Sequence, residues 1–261
     1  MSKLPTLEEL FKAGAHFGHR KSRSDARAHD FVFAHRNKIA IIDLEKTRVL
    51  LEEALDFLKT AAKDGALFLF VGTKPQAREE VKKVAEELGQ PYIVERWPGG
   101  LITNFDVVFK AVKKMLQREQ DLAEGKFATF TKKERLKIEK DLQKAKRILG
   151  GLAKMERKTD ILAVIDAKEE EIALLEAKRA GLKVVALCDT NSNPRLVDYP
   201  IPVNDDATAT VKLICNLIKE TIKSNYKVPV KAAEVEERLQ DKTESEPVQP
   251  KAKSKRGDGK N

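Results

Sequence analysis

The chain of 261 residues is poor in the groups that build disulfide frameworks, catalytic centres and membrane spans. It has two cysteines, Cys188 and Cys215, both in apolar stretches. That excludes a disulfide scaffold and points to buried, reduced thiols in a reducing compartment. All four histidines fall between His16 and His35, so no nucleophile–base pair can be drawn with groups elsewhere in the chain. Neither G-x-G-x-x-G nor G-x4-G-K-[ST] occurs, which removes the two commonest phosphate-cradling fingerprints. No apolar run approaches the ~18 residues of a membrane span. The first residues lack the charged-then-apolar build of a secretory signal. The expectation is a cytoplasmic protein with no membrane, no cofactor and no catalytic apparatus.

Charge is what the chain has in excess. Charged residues make up 35% of it, the net charge is +9 and the pI is near 9.3, a balance suited to nucleic acid. Residues 105–158 hold sixteen Lys/Arg against eight Asp/Glu, so a surplus of eight sits in this one segment. Its apolar residues recur at spacings of three and four: Phe105, Val108, Val112 and Met115, then Leu122. After a Gly-containing turn at 124–131 come Ile138, Leu142, Ala145, Leu149 and Leu152. Each helix then carries one narrow apolar stripe, and two antiparallel helices can zip into a coiled-coil hairpin. Arms of ~20 residues reach ~30 Å, and the exposed faces are left to Lys and Arg.

The rest of the chain alternates short apolar runs (39–42, 67–71, 92–94, 161–165, 184–187, 201–203) with helical patterns (44–62, 76–88, 168–180, 207–226). Continuous short runs between helices indicate a mainly parallel sheet covered on both faces. Thr73 is expected to cap the helix after it, and Gly181 to end the helix before 184. The hairpin interrupts this alternation as an insertion at 105–155. The discontinuous α/β domain is read as 1–104 plus 156–228. From 229 the apolar pattern stops and an acidic, then basic, disordered tail is expected.

Candidate sites follow from charge and position. His16 and His19 have a His-x2-His spacing, but no cysteine lies near and no second pair follows, so no metal is expected. The run His19-Arg20-Lys21-Ser22-Arg23, followed by Arg27 and Arg36 and flexed by Gly14 and Gly18, reads as a basic loop for phosphate and ribose contacts. Strand ends offer Asp43, Gly72-Thr73-Lys74, Asp166 and Asp189-Thr190-Asn191. A nucleotide-using enzyme of Rossmann-like fold would place its ligand there. Without a phosphate fingerprint, the aspartates read as helix caps and loop anchors. Arg96-Trp97-Pro98-Gly99-Gly100 makes a stiff corner before the hairpin, with Trp97 packed beneath its root and Arg96 available to RNA. The candidate RNA contacts are His16, His19, Arg20, Lys21, Arg23, Arg27, Arg36, Lys74 and Arg96. On the hairpin they are Lys110, Lys113, Lys114, Lys132, Lys133, Lys137, Lys144 and Arg147.

Several stretches together resemble the bacterial form of small-subunit ribosomal protein two. They are Gly14-Ala15-His16-Phe17-Gly18-His19-Arg20, Ile41-Ile42-Asp43-Leu44-Glu45-Lys46-Thr47, and Phe70-Val71-Gly72-Thr73-Lys74 with Gln76-Ala77. Arg96-Trp97, Gly99-Gly100, Thr103-Asn104, Asp189-Thr190-Asn191, Asp198-Tyr199-Pro200-Ile201-Pro202 and Asn204-Asp205-Asp206 follow in the family's order. The resemblance implies a flavodoxin-like three-layer α/β/α domain with an inserted hairpin. It also implies a structural role on the small subunit, bound to small-subunit ribosomal RNA beside other small-subunit proteins, and help in docking ribosomal protein one. Two departures stand out. Ser24-Asp25-Ala26 replaces the family's usual Trp-Asn-Pro, and Pro98 replaces an apolar residue.

Overall fold

The computed structural model describes residues 4–226, so the tail expected from 229 lies outside the described residues. The helices are α1 (Leu7–Lys12), α2 (Leu44–Lys63), α3 (Pro75–Leu88), α4 (Phe105–Ala123), α5 (Lys132–Leu149), α6 (Glu171–Ala180) and α7 (Thr208–Asn225). The strands are β1 (Phe17–Arg20), β2 (Val32–Arg36), β3 (Ile39–Ile42), β4 (Phe68–Val71), β5 (Tyr92–Ile93), β6 (Ile161–Val164), β7 (Lys183–Cys188) and β8 (Tyr199–Pro202).

Five strands form a parallel sheet in the order β5-β4-β6-β7-β8. Counted along the sheet's own strands this is 2-1-3-4-5, the flavodoxin-like order. Side chains of each strand alternate between two cores, because successive Cβ atoms point to opposite faces. Phe68, Phe70, Ile161, Ala163, Val185 and Leu187 pack with α2, α3 and α7. Leu69, Val71, Leu162, Val164, Val184 and Ala186 pack with α6 and the root of α4. The result is the three-layer α/β/α arrangement that the apolar runs anticipate.

The N-terminal region departs from expectation. Residues 39–42 do not join the parallel sheet. They form β3, the middle strand of a separate antiparallel sheet ordered β1-β3-β2. The basic loop expected at His19–Arg23 instead starts in strand β1, which ends at Arg20, and continues as one 3-10 turn at Lys21–Arg23. The polar residues of β1 and β2 hid them, since one face of this sheet meets solvent. Helix ends are partly as expected. Asp43 caps α2 by accepting from the backbone N–H groups of Glu45 and Lys46, and Gly181 ends α6 in the left-handed conformation, φ 70°. Thr73 does not cap α3. The cap position is Lys74, with Pro75 opening the helix.

The hairpin zips along the expected stripe, with Phe105, Val112, Met115 and Leu142 buried. Its tip turns at Gly125, φ 72°. A capping box at Thr131 and Glu134 starts the return helix. Val112, Leu152 and Met155 belong to the second core, so the root of the hairpin is part of the domain.

Candidate nucleic-acid interface

The small antiparallel sheet lies over the carboxyl ends of the parallel strands. Its β2–β3 turn is the two-residue connection Asn37-Lys38, with φ 50° and 66°. Positive φ at both central residues matches the right-handed twist of the flanking strands, and the turn leaves Arg36 and Lys38 exposed. The sheet is fastened at Thr190. The His19 N–H donates to the Thr190 hydroxyl at 2.8 Å, and the Asp25 N–H donates to the Thr190 carbonyl at 2.8 Å. Arg20 and Arg23 then flank an open pocket of about 460 Å³ whose wall also includes Phe17, His19, Asp189 and Asp206.

Beneath the basic rim lies an acidic floor. His19 Nδ1 is 3.0 Å from Asp189, and its Nε2 is 3.5 Å from Asp206. The hydrogen bond to Asp189 raises the His19 pKa against the opposing effect of burial, and the charges of Asp206 and Asp205 add to it. The Lys74 ammonium sits among Asp166 (2.9 Å), Asp205 (2.6 Å) and Asp206 (2.6 Å), with its side chain 18% exposed. Burial by itself would lower the Lys74 pKa, but these carboxylates raise it, so the lysine is a fixed cation. Burial and the charges of Asp166 and Asp189 push Asp205 up, out of the usual carboxylate range. At the carboxyl ends of the strands, where a doubly wound fold would take a nucleotide, the chain thus places its own lysine among three carboxylates. Among the described residues, His19, Asp189 and Asp206 could hold a divalent cation, with one ligand atom from each lying within 4.8 Å of the others.

These contacts sort the expected site residues. Arg20, Lys21, Arg23, Arg36 and Arg96 are exposed. His16 is buried, its ring stacked on Phe11 with centroids 4.2 Å apart, and its pKa is lowered by burial. Lys74 is enclosed by three carboxylates. Arg27 is held by Asp25, with Nε at 2.9 Å and Nη2 at 2.6 Å. This anion comes from the Ser24-Asp25-Ala26 departure. On the hairpin, Lys110, Lys113, Lys114, Lys132, Lys133, Lys137, Lys144 and Arg147 are all exposed. Lys113 lies over the Phe109 ring at 4.9 Å, and Arg147 pairs with Glu95 at 2.9 Å.

The surplus charge of the hairpin is uneven. Its outer half, 116–141, carries seven Lys/Arg against six Asp/Glu. The root and the following turn, 105–115 with 142–158, carry nine against two. The net cationic element is the root, where the hairpin leaves the domain. Counting charge over the whole segment concealed this. Sequence reasoning also missed that Asp189, Asp205 and Asp206 close on His19 and Lys74. The motifs containing them were visible, but their pairing across the chain was not.

The sequence profile of the family "Ribosomal protein S2" matches residues 10–225. Small ribosomal subunit protein uS2 of Porphyromonas gingivalis is 42% identical over 222 residues, covering 85% of this chain and 79% of that protein. The Dehalococcoides mccartyi protein of that name is 40% identical over 221 residues, 84% of this chain and 90% of its own. The Coprothermobacter proteolyticus one is 43% identical over 217 residues, with 83% and 81% covered.

Proposed function

The chain belongs to the ribosomal protein S2 family, whose members are structural proteins and not enzymes, and we propose that it serves translation as an RNA-binding constituent of the small ribosomal subunit. The observation that carries this reading is the split of exposed charge between two places on one rigid mount. One is the Arg20-Lys21-Ser22-Arg23 turn with Arg36. The other is the hairpin root, nine Lys/Arg against two Asp/Glu. Both supply cations to phosphates without a base-reading element, which suits recognition of RNA by shape and backbone. Binding of small-subunit ribosomal RNA needs no cofactor and would place the protein on cytoplasmic ribosomes. Among the described residues no helix is long and apolar enough to cross a membrane.

The family resemblance also implies protein neighbours, ribosomal protein one among them. Exposed Phe11, Phe33 and Leu7 beside a groove of about 500 Å³ support a protein contact at the N-terminal edge, since exposed apolar clusters mark such surfaces.

The test is a salt titration of binding to small-subunit ribosomal RNA. Every phosphate that a removed cation no longer neutralises lowers the salt slope by roughly 0.7–0.9. Replacing Arg20, Lys21 and Arg23 together by Ala should flatten it by about two units, with little change in fold stability, because exposed charges contribute little to it. An unchanged slope would place the RNA-binding surface elsewhere. A protein that does not travel with small subunits after crosslinking in lysate would refute the reading.

A further inference from the structure

We propose that Glu176, on α6, is the positioning residue that fixes the direction in which the hairpin leaves the domain. The inference rests on the RNA-binding reading for its consequence, and on hydrogen-bond geometry for its cause.

Glu176 is buried, 7% exposed, in α6 between Ala173, Leu174 and Ala177. Its carboxylate accepts five hydrogen bonds, all from the corner that precedes the hairpin. Oε1 accepts from the Trp97 indole N–H at 3.0 Å and from the Gly100 N–H at 2.7 Å. Oε2 accepts from the Ile102 N–H at 3.2 Å, the Thr103 N–H at 3.3 Å and the Thr103 hydroxyl at 3.2 Å. The corner wraps the carboxylate because Gly100 takes φ 86°, a conformation that L side chains rarely adopt. Helix α4 begins two residues after Thr103, at Phe105.

The charge of Glu176 is met by neutral donors alone. A carboxylate has two oxygens and can accept all five donors. A glutamine has one acceptor oxygen and would turn its NH2 toward backbone N–H groups. Burial by itself would raise the Glu176 pKa, but the donors from Trp97, Gly100, Thr103 and Ile102 lower it. The anion is thus the form that the corner is folded around. The second foot of the hairpin is held separately. Arg147 pairs with Glu95, and a Cβ at Gly151 would collide with the Tyr92 carbonyl.

Direction matters because the cations ride on a lever. Lys114 is nine residues beyond Phe105, about 14 Å out at 1.5 Å per residue. A swing of ~20° at the root would move it about 5 Å, beyond hydrogen-bond reach of a phosphate engaged by a fixed hairpin. A loosened hairpin must also be ordered when it binds, which lowers affinity.

The test measures direction and binding separately. Spin labels go on Ala128→Cys at the tip and Glu53→Cys on α2, both exposed. The native thiols stay silent, because Cys188 and Cys215 are buried and burial pushes both pKa values up to about 12. In the otherwise unaltered chain, pulsed electron resonance should give one narrow tip-to-body distance. Glu176→Gln should at least double its width, with helical content retained, and should weaken ribosomal RNA binding about tenfold at a temperature where both proteins are fully folded. Thr103→Val, which removes one donor, should broaden it less. An equally narrow distance in Glu176→Gln overturns the proposal, and Thr103→Val with Trp97→Phe decides in its place should that variant not fold. Broadening with unchanged RNA affinity also overturns it, because the carboxylate would then anchor without positioning. Failure of the unaltered protein to bind RNA would sink the RNA-binding reading instead, and the distances would still decide whether Glu176 is the anchor.

Discussion

Gly18 and Thr190 lie so close that no side chain fits between them. A Cβ at position 18 would stand 2.6 Å from Thr190 Cγ2, 2.8 Å from its hydroxyl and 3.1 Å from the Ala40 carbonyl. This close approach seats the small antiparallel sheet, with its basic turn, on the carboxyl end of the parallel sheet. Gly18→Ala should therefore cost about 1–3 kcal/mol, the range for overpacking, measured by urea unfolding. Adding Thr190→Ser removes the nearest methyl and keeps the hydroxyl that accepts from His19. The double variant should recover part of the stability, a coupling of at least ~0.5 kcal/mol. Strict additivity would mean that the two residues do not press on each other.

Lys74→Met should be the most damaging single change in the crevice. It leaves Asp166, Asp205 and Asp206 without their shared cation, and breaking a buried pair costs about 3–5 kcal/mol. The carboxylates of the variant would take up protons in the folded state at higher pH than in the unfolded chain. Its stability should therefore recover as pH falls from 8 toward 5. A destabilisation below ~1 kcal/mol would show that water screens the cluster.

His16 and His19 should act on stability in opposite directions with pH. The folded-state pKa of His19 is raised by Asp189, so its contribution is fully present below the unfolded value of ~6.5 and is lost as pH rises through the folded value. Burial lowers that of His16, so stability falls as pH drops from ~6.5 through its folded value. His19→Asn should flatten the alkaline side of the stability–pH curve, and His16→Phe the acidic side. Nuclear magnetic resonance titration of the two rings gives the direct check. Equal pKa values would refute the assignment.

The hairpin should prove divisible. Joining Met115 to Leu142 through a short Gly/Ser turn removes 116–141, which carries a surplus of one positive charge. The shortened protein should melt cooperatively and keep most of its salt slope for RNA. Deleting 106–157 entirely should be far worse, because Val112, Leu152 and Met155 go with it and the second core is opened. Loss of nearly all RNA affinity in the short version would move the RNA-binding surface to the tip.

Local patterns in the sequence determined a great deal about this protein. The apolar runs 67–71 and 184–187 read as buried strands, and in the structure their side chains feed two cores at once. The three-and-four spacing from Phe105 to Leu152 specified a zipped hairpin, and Asp43 and Gly181 marked helix ends. In each case neighbours along the chain carry the physics, through period, capping and backbone freedom. Tertiary structure alone decided where charges meet. Lys74 is as basic in sequence as Lys21, yet it is enclosed by Asp166, Asp205 and Asp206, all of them far along the chain. His16 and His19 read as one pair, but one stacks on Phe11 and the other bonds Asp189. Strands β1 and β2 were hidden because their faces are half solvated. Glu176 looked like any helical glutamate until the corner at 97–103 folded round it. A charge acts through space over a few ångströms, and only the fold sets which residues stand within that range.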